Sequence, residues 1–319
     1  MLRSTIIYLS KAPWARKMVT SWGFAWRAAS RFIAGEELED AIRVIKALNE
    51  KGINATLDHL GESTTNPAEA QQATQAIIQI LDAIDQAGVR TNVSIKLTQI
   101  GLALGEELCA DNLLRILTRA KEKGNFVRMD IEDSPWVNQT YGLYGRMRDC
   151  GFTNVGVAMQ AYLYRSEQDA HEIVEAGGRI RLCKGAYKEP ADVAYPKKSD
   201  VDANYDRLTE ILIDGALANG APTVSADGRV PPIPAIASHD PKRLAYAKAY
   251  AEKAGLPKRA MEFQMLNGIR RDLQEQAVQE GYPVRVYVPY GTQWYPYFMR
   301  RLAERPANVW FFISNYFRK

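Results

Sequence analysis

The stretch INATLDHLGESTTNPAEAQQATQAIIQILDAIDQAGVRTNVSIKL, residues 53–97, predicts one complete strand–helix–strand unit. Its two ends, 53–58 and 92–97, are short runs rich in β-branched and apolar residues, which is typical of buried strands. Between them, apolar residues recur every three or four positions over 67–87, and Asn66 stands where a helix N-cap is expected. The stretch therefore predicts two parallel strands joined by a helix.

The same alternation of strand and helix continues along the chain. The predicted strands cover 53–58, 92–97, 126–131, 155–160, 178–183, 233–237, 261–266 and 283–288. The predicted helices cover 37–51, 67–87, 106–123, 138–149, 167–176, 201–218, 241–254, 269–280 and 292–304.

Eight strand–helix units in one chain favour closure into a (β/α)₈ barrel of the TIM type. An open doubly wound sheet is the alternative fold, and it normally has a glycine-rich turn after its first strand. Here the first strand leads into DHLGE at 58–62, which is not such a turn. We therefore predict a catalytic α/β barrel over residues 37–319, preceded by a helical arm over residues 1–36.

Composition argues against several classes of protein. The 41 basic and 37 acidic residues give a net charge of +4, which is too small to indicate a nucleic-acid partner. The three cysteines are scattered without metal-ligand spacing, which fits a reducing cytoplasmic compartment and no disulfide framework. No stretch approaches the roughly 18 consecutive apolar residues of a transmembrane helix. The expectation is a cytoplasmic protein, with peripheral contact at the inner face of the cell membrane as an open alternative.

The first 35 residues contain basic residues and tryptophans but no acidic residue. The basic residues are Arg3, Lys11, Arg16, Lys17, Arg27 and Arg31, and the tryptophans are Trp14, Trp22 and Trp26. A basic, Trp-bearing helix can lie on an anionic membrane surface. Helices that pack on the main domain with a solvated basic face are the alternative interpretation.

Reactive side chains stand at the ends of nearly all the predicted strands, where barrels of this class place their active sites. In strand order they are Asp58 and His59; Lys96; Arg128, Asp130 and Glu132; Gln160; Arg181 and Lys184; Ser238, His239 and Asp240; Glu262 and Gln264; Arg285 and Tyr287. Charged residues in apolar strands destabilise a fold unless they are paired, so their repetition predicts a charged pocket. Because cations are prominent and neither a metal-ligand set nor a nucleophile triad is evident, we expect an anionic ligand and no metal ion.

The last predicted helix places Tyr297, Arg300, Arg301 and Glu304 on one face. Two adjacent arginines form a suitable fork for a carboxylate, and the tyrosine offers a flat surface to an apolar ring. Taken alone, two adjacent arginines on a surface helix are usually just solvated. Lys96 elsewhere in the predicted pocket favours the ligand-binding interpretation.

Seven motifs resemble those of the proline dehydrogenase family and occur in the family's order. They are MDIE at 129–132, QAY at 160–162, RLCKGAY at 181–187, SH at 238–239, EFQML at 262–266, VPYGT at 288–292 and YFMRRLAE at 297–304. Each motif is weak alone, but the ordered set is specific. The resemblance implies a distorted barrel with N-terminal helices, whose last helix lies over the barrel mouth.

The resemblance also implies an FAD enzyme of the monofunctional bacterial type. Such an enzyme oxidises L-proline to Δ¹-pyrroline-5-carboxylate by hydride transfer from C5 to flavin N5, the first step of proline catabolism. Electrons then pass to a quinone-type acceptor. A separate pyrroline-5-carboxylate dehydrogenase would take up the product.

By the same resemblance, each site residue has an expected role. The catalytic residues would be Arg181, which stabilises negative charge on the reduced flavin near N5, and Lys96 paired with Asp130. The proline-binding residues would be Lys96, Arg300 and Arg301 at the carboxylate and Tyr187, Leu266, Tyr287 and Tyr297 around the ring. The FAD-binding residues would be Gln160, Arg181, Lys184, Gly185, His239, Arg301 and Glu304.

Three further expectations concern selectivity and access. Tyr287 leaves little room for a hydroxyl group at C4, so proline should be preferred over hydroxyproline. The substrate must react as the free amine, so the rate should rise with pH. The connection 188–200 is long for a barrel loop, which predicts a lid or a cofactor cover.

Two other functions remain as alternatives. A folate reductase shares the barrel layout, although the paired arginines fit a carboxylate better than a pterin. A non-catalytic binding protein on the same scaffold would have neither flavin nor turnover. For contact with a membrane quinone, the candidate elements are the basic N-terminus and the aromatic segment at 310–313.

Overall fold

Eight parallel strands close into one barrel in sequence order, and β8 pairs with β1 to complete it. The computed structural model describes residues 9, 12–20, 23–61 and 63–304. The strands are β1 Asn54–His59, β2 Thr91–Ile95, β3 Val127–Met129, β4 Val155–Gln160, β5 Ile180–Cys183, β6 Pro234–Ala237, β7 Glu262–Leu266 and β8 Val284–Tyr290. The predicted (β/α)₈ barrel is confirmed, and the open sheet is not formed.

Each strand is followed by a helix, and three helices precede β1 within the described residues. The helices are α1 Pro13–Thr20, α2 Gly23–Ala29, α3 Leu38–Glu50, α4 Pro67–Ala87, α5 Glu106–Glu122, α6 Val137–Asp149, α7 Ser166–Glu175, α8 Lys198–Ala218, α9 Pro241–Ala254, α10 Arg271–Gln279 and α11 Trp294–Glu304. Short 3₁₀ helices cover Leu97–Ile100, Ser134–Trp136 and Lys258–Ala260.

Helix α4 begins and ends where its sequence predicts. The Asn66 side chain accepts a hydrogen bond from the Glu69 amide at 3.0 Å, which satisfies one free donor of the first turn. At the other end Gly88 has φ of 62°, a left-handed conformation that glycine adopts without a Cβ clash. The predicted N-cap and the predicted bounds of this helix are therefore confirmed.

Strands β2 and β3 are shorter than predicted because their last residues leave the sheet. After Ile95 the chain turns into the 3₁₀ helix Leu97–Ile100. The carboxylate of Glu132 then binds the backbone N–H and the hydroxyl of Thr98, at 3.1 and 2.6 Å. These hydrogen bonds link the segments that follow the two strands.

The N-terminal helices pack on α11, the helix that follows β8. Ala15, Val19 and Ala25 belong to the same buried apolar cluster as Phe298 of α11. The rings of Trp26 and Trp294 lie 5.4 Å apart. This packing agrees with the interpretation that the arm covers the main domain. No helix among the described residues is long and apolar enough to cross a bilayer.

Candidate active site

A cavity of about 600 Å³ lies at the carboxyl ends of the strands, with α11 forming part of its wall. Its volume is typical of small-molecule and cofactor sites. Every site residue proposed from the sequence lines it except Glu304, whose side chain lies outside the described part of the chain. These residues are Lys96, Asp130, Gln160, Arg181, Lys184, Gly185, Tyr187, His239, Leu266, Tyr287, Tyr297, Arg300 and Arg301.

Arg181 of β5 is held rigidly in the cavity floor. Its Nη1 donates to Asp130 Oδ1 at 2.6 Å and to Ser94 Oγ at 3.0 Å. Its Nε donates to Gln264 Oε1 at 2.7 Å, and only 5% of the residue is exposed. The guanidinium is therefore charge-balanced by one carboxylate and fixed in orientation by residues of three strands or strand ends.

Tyr287 of β8 forms a wall of the cavity beside this arginine. Its hydroxyl donates to Asp130 Oδ2 at 2.8 Å, and the guanidinium carbon of Arg181 lies 5.2 Å from its ring centre. Burial, and then the charge of Asp130, raises the pKa of Tyr287 well above its usual value of 10. The phenol therefore stays protonated and keeps its ring in one position.

Lys96 has a different carboxylate partner from the one that was predicted. Its Nζ lies 3.2 and 3.3 Å from the two carboxylate oxygens of Asp58, which is almost fully buried. Asp130, the predicted partner, is instead engaged by Arg181 and Tyr287. The pairing of Lys96 with Asp58 corrects the prediction. Asp58 is the residue before the last one of β1, the strand adjacent to β2, and its carboxylate is within reach of Lys96.

Lys184 is tied to two carboxylates at the edge of the cavity. Its Nζ donates to Asp202 at 2.5 Å and to Asp240 at 2.7 Å. Lys198 also donates to Asp202 and lines the cavity. Asp202 and Lys198 were missed from the sequence because they stand in α8, away from any strand end.

The local structure explains why residue 185 is a glycine and what the imidazole of His239 binds. At Gly185 φ is 116°, a backbone conformation that favours glycine. A Cβ atom there would also clash with the ring of Tyr162, at a distance of 2.3 Å. His239 Nε2 accepts the backbone N–H of Leu266 at 2.9 Å, which joins the ends of β6 and β7 and requires the proton to be absent from Nε2.

Gln160 presents a buried acceptor without a partner among the described residues. Its Nε2 donates to the carbonyls of Ile131 and Glu132 at 3.4 and 3.3 Å, and this fixes which way the amide faces. Its Oε1 is buried and has no hydrogen bond in the described structure. Because Gln160 lines the cavity, a ligand N–H group would satisfy this oxygen.

Some charged residues predicted at strand ends lie elsewhere. Glu262 begins β7, and Arg285 pairs with it at 2.8 Å, with exposures of 0% and 1%. Arg128 is buried below the cavity, and Glu132 binds Thr98. None of these four predicted residues lines the cavity, so they correct the prediction of one common charged pocket. The sequence pattern of a short strand does not show whether a charged side chain lies at the cavity end of the barrel or at the opposite end.

The connection 188–200 is tied to the neighbouring loops. Glu189 accepts from the backbone N–H and the hydroxyl of Ser134, at 2.9 and 2.5 Å. Ala194 forms an antiparallel bridge with Leu163. Tyr187 and Lys198, close to its two ends, line the cavity. Its role as a lid or cofactor cover stays a prediction.

Comparison with known proteins identifies the family. The sequence model described as "Proline dehydrogenase" matches residues 41–313. Proline dehydrogenase of Deinococcus radiodurans is 42% identical over 294 residues, which cover 91% of this chain and 90% of the relative. Proline dehydrogenase 1 of Bacillus subtilis is 38% identical over the full length of both chains, 319 residues.

A solved structure has the same fold. Proline utilization A (PutA) of Bdellovibrio bacteriovorus, inactivated by N-propargylglycine, superposes with a TM-score of 0.79 at 27% identity. The match covers 88% of this chain and 33% of that longer one. The chain described here therefore belongs to the proline dehydrogenase family, the oxidoreductases that act on the CH–NH group of proline in the first step of proline catabolism.

Proposed function

We propose that this protein is an FAD-dependent proline dehydrogenase that converts L-proline to Δ¹-pyrroline-5-carboxylate and delivers the electrons to a quinone. One observation carries the proposal. The residues expected from the sequence to bind proline and FAD, wherever the structure describes their side chains, line a single cavity. They come from seven of the eight strand–helix units, all except the first.

The residues of the cavity fit a flavin. The unpartnered Oε1 of Gln160 suits the imide N–H of the flavin ring, because that group is a donor that an acceptor must meet when buried. Arg181 adds a fixed cation in the same cavity. Gln160, Arg181, Lys184, Gly185, His239, Arg301 and Glu304 would hold FAD. When bound, FAD would accept the hydride that leaves C5 of proline.

Arg181 would stabilise the negative charge that the reaction places in the cavity. Its guanidinium is already oriented by Asp130, Ser94 and Gln264, so little reorganisation is needed during the reaction. Asp130 balances the arginine in the resting protein and, through Tyr287, also fixes the wall of the substrate site. In this proposal Arg181, Lys96 and Asp130 remain the catalytic residues.

The substrate carboxylate would be bound by Arg300, Arg301 and Lys96. Adjacent guanidinium groups match the two oxygens of a carboxylate, and burial strengthens the pairing. Arg301 is almost fully buried, and its guanidinium carbon lies 5.1 Å from the ring centre of Tyr297. Such a clamp would hold the proline ring against Tyr187, Leu266, Tyr287 and Tyr297 and fix the position of C5.

A quinone acceptor implies approach to a membrane surface. Trp14 and Met18 of α1 are 58% and 43% exposed, and they share a helix face because they are four residues apart. The surrounding segment has only basic charges, which favours anionic lipid. Trp22 and the segment 310–313 lie outside the described residues. A separate pyrroline-5-carboxylate dehydrogenase would receive the product.

The proposal is tested by steady-state assay of the FAD-loaded protein with a soluble quinone as acceptor. We expect quinone reduction that depends on L-proline and is absent with NAD(P)H. Activity with NAD(P)H and none with proline would favour a folate-type reductase. Absence of both flavin and turnover would favour a binding protein on a barrel scaffold.

A further inference from the structure

The barrel interior holds a buried cation that the proposed site does not use. Arg128 of β3 is 1% exposed and does not line the cavity. Its Nη1 donates to the carbonyl oxygen of Val157 at 3.0 Å and also to that of Arg179. Its Nε and Nη2 are buried and have no hydrogen-bond partner among the described residues. Buried donors of this kind are uncommon in folded proteins, and they call for an explanation.

The neighbouring sequence leaves space for this guanidinium. Gly156 stands opposite Arg128 in the β3–β4 ladder. A Cβ atom on Gly156 would lie 2.7 Å from Arg128 Nη1 and 2.5 Å from the carbonyl oxygen of Arg179. The ring of Phe126 lies under the guanidinium, with 5.0 Å between the guanidinium carbon and the ring centre. The site therefore accommodates an arginine at β3 only because β4 has a glycine beside it.

The buried carboxylates near Arg128 are already engaged by other cations. Asp58 pairs with Lys96, Asp130 with Arg181, and Glu262 with Arg285. Arg128 adds a positive charge that none of these three carboxylates balances in an ion pair. Burial lowers the pKa of Arg128 below its usual value, but a guanidinium starts from so high a pKa that it remains a cation.

Arg128 lies one layer below Arg181. Its Nη1 contacts the backbone of Arg179, which precedes Arg181 by two residues in the chain leading through β5. Two residues along a strand span about 7 Å. Charges at roughly 10 Å still interact appreciably in a protein interior, where the effective dielectric constant is far below that of water.

We propose that the positive charge of Arg128 raises the reduction potential of the bound flavin. This charge lies below Arg181, and none of the three carboxylates balances it in an ion pair. The inference rests on the proposed function, because it assumes FAD beside Arg181. Reduction adds negative charge in the cavity, and a buried cation beneath the cavity favours that state. The charge lowers fold stability, since a buried ion without a carboxylate partner loses its hydration. Arg128 thus raises the reduction potential of the flavin and lowers the stability of the fold, and both properties can be measured.

The test measures the flavin midpoint potential and the thermal unfolding temperature of three FAD-loaded proteins. They are the unaltered protein, Arg128→Met and Arg128→Gln, and both substitutions remove the charge. For Arg128→Met we expect about a tenfold smaller equilibrium constant for two-electron reduction, equivalent to about 30 mV more negative. Its unfolding temperature should be equal or higher. Arg128→Gln should shift the potential by a similar amount, because it also removes the charge.

Three results would overturn the inference. The potential of Arg128→Met could match that of the unaltered protein, or Arg128→Gln could keep the potential of the unaltered protein while Arg128→Met lowers it. Loss of folding in both Arg128→Met and Arg128→Gln would show that the arginine stabilises the barrel. If the unaltered FAD-loaded protein is not reduced by proline, the proposed function fails instead, and the two failures are thereby distinguished.

Discussion

We expect Tyr287 to be the residue that limits the size of the substrate most directly. Its hydroxyl is fixed on Asp130 at 2.8 Å and its ring is held beside Arg181, so the phenol cannot swing away from a larger substrate. We expect kcat/KM for L-proline to exceed that for hydroxyproline. Tyr287→Ser should raise the hydroxyproline-to-proline ratio by about tenfold or more, because it opens space and offers a hydroxyl partner.

The matched control for this prediction is Tyr287→Phe, which keeps the ring and removes only the hydroxyl. It should retain the preference for proline. Comparable kcat/KM values for both substrates in the unaltered protein would refute the assignment of Tyr287.

The pH dependence should come from the substrate amine. Burial and Asp130 raise the pKa of Tyr287 well above 10, so this phenol does not lose its proton over the usual assay range. The amine must be unprotonated to release a hydride, so kcat/KM should increase about tenfold per pH unit on the acidic side of its pKa. Tyr287→Phe should show the same rising profile. A descending limb between neutral pH and pH 10 that disappears in Tyr287→Phe would contradict this account.

Residue types at the site could be predicted from the sequence, but their partners could not. Arg181, Gln160 and the arginines of α11 could be placed at the cavity because they lie in elements whose position the barrel fixes. The partner of Lys96 was wrong because Asp58 and Asp130 both stand at strand ends, and only the side-chain positions distinguish them. Which charged residues pair among the eight strand ends depends on the positions of their side chains in three dimensions.

At the scale of elements, β7 and β8 are joined by a buried ion pair near the opposite end of the barrel from the cavity. Arg285 Nε and Nη2 donate to the two carboxylate oxygens of Glu262 at 2.8 and 2.9 Å. Its remaining donors bind the carbonyls of Ala55 and Gly228 at 2.6 and 2.7 Å. The pair thereby connects β7, β8, β1 and the connection before β6.

Glu262→Gln should lower the free energy of unfolding by about 3–5 kcal/mol, because it leaves a buried arginine without its counter-charge. The measurement is urea unfolding at constant pH. The control is Glu275→Gln, which breaks the solvent-exposed pair with Lys51 and should cause no resolvable change. Equal effects of the two substitutions would show that burial does not decide the contribution of these pairs.

Element types were largely predictable because apolar periodicity and caps are local signals. Asn66 and Gly88 mark α4 at both ends, and the structure agrees with both. The ends of β2 and β3 were not predictable from apolar periodicity, because the residues after them leave the sheet and make side-chain hydrogen bonds, Asp130 with Ser94 of β2 and Glu132 with Thr98 of the 3₁₀ helix that follows β2. The position of Glu262 and Arg285 at the far end of the barrel likewise depends on register, which composition does not reveal.

At the scale of the whole molecule, the described N-terminal helices connect an exposed apolar pair to α11, which forms part of the cavity wall. They pack on α11 through Ala25 and Trp26, while Trp14 and Met18 face outwards. The sequence left two interpretations open, because a basic, Trp-bearing helix can either pack on the main domain or lie on a membrane surface. The structure shows the packing, and the exposed pair keeps membrane contact as a proposal.

Sedimentation with anionic liposomes tests that proposal. The double variant Trp14→Ser, Met18→Ser should reduce the bound fraction several-fold, since exposed apolar side chains supply part of the interfacial binding energy. Leu114→Ser on α5 is the control, because Leu114 is a similarly exposed apolar residue on another face of the barrel. Unchanged binding of the double variant would remove α1 from the membrane contact.

The most direct test of the central claim is the absorbance spectrum of the purified protein without an electron acceptor, before and after addition of L-proline. We predict an FAD spectrum that is bleached by proline, and we expect Arg300→Ala to require at least about tenfold more proline for the same bleaching, because it loses a charged contact to the carboxylate. A flavin that ignores proline but is bleached by NAD(P)H, or a protein that binds no FAD after reconstitution, would contradict the account.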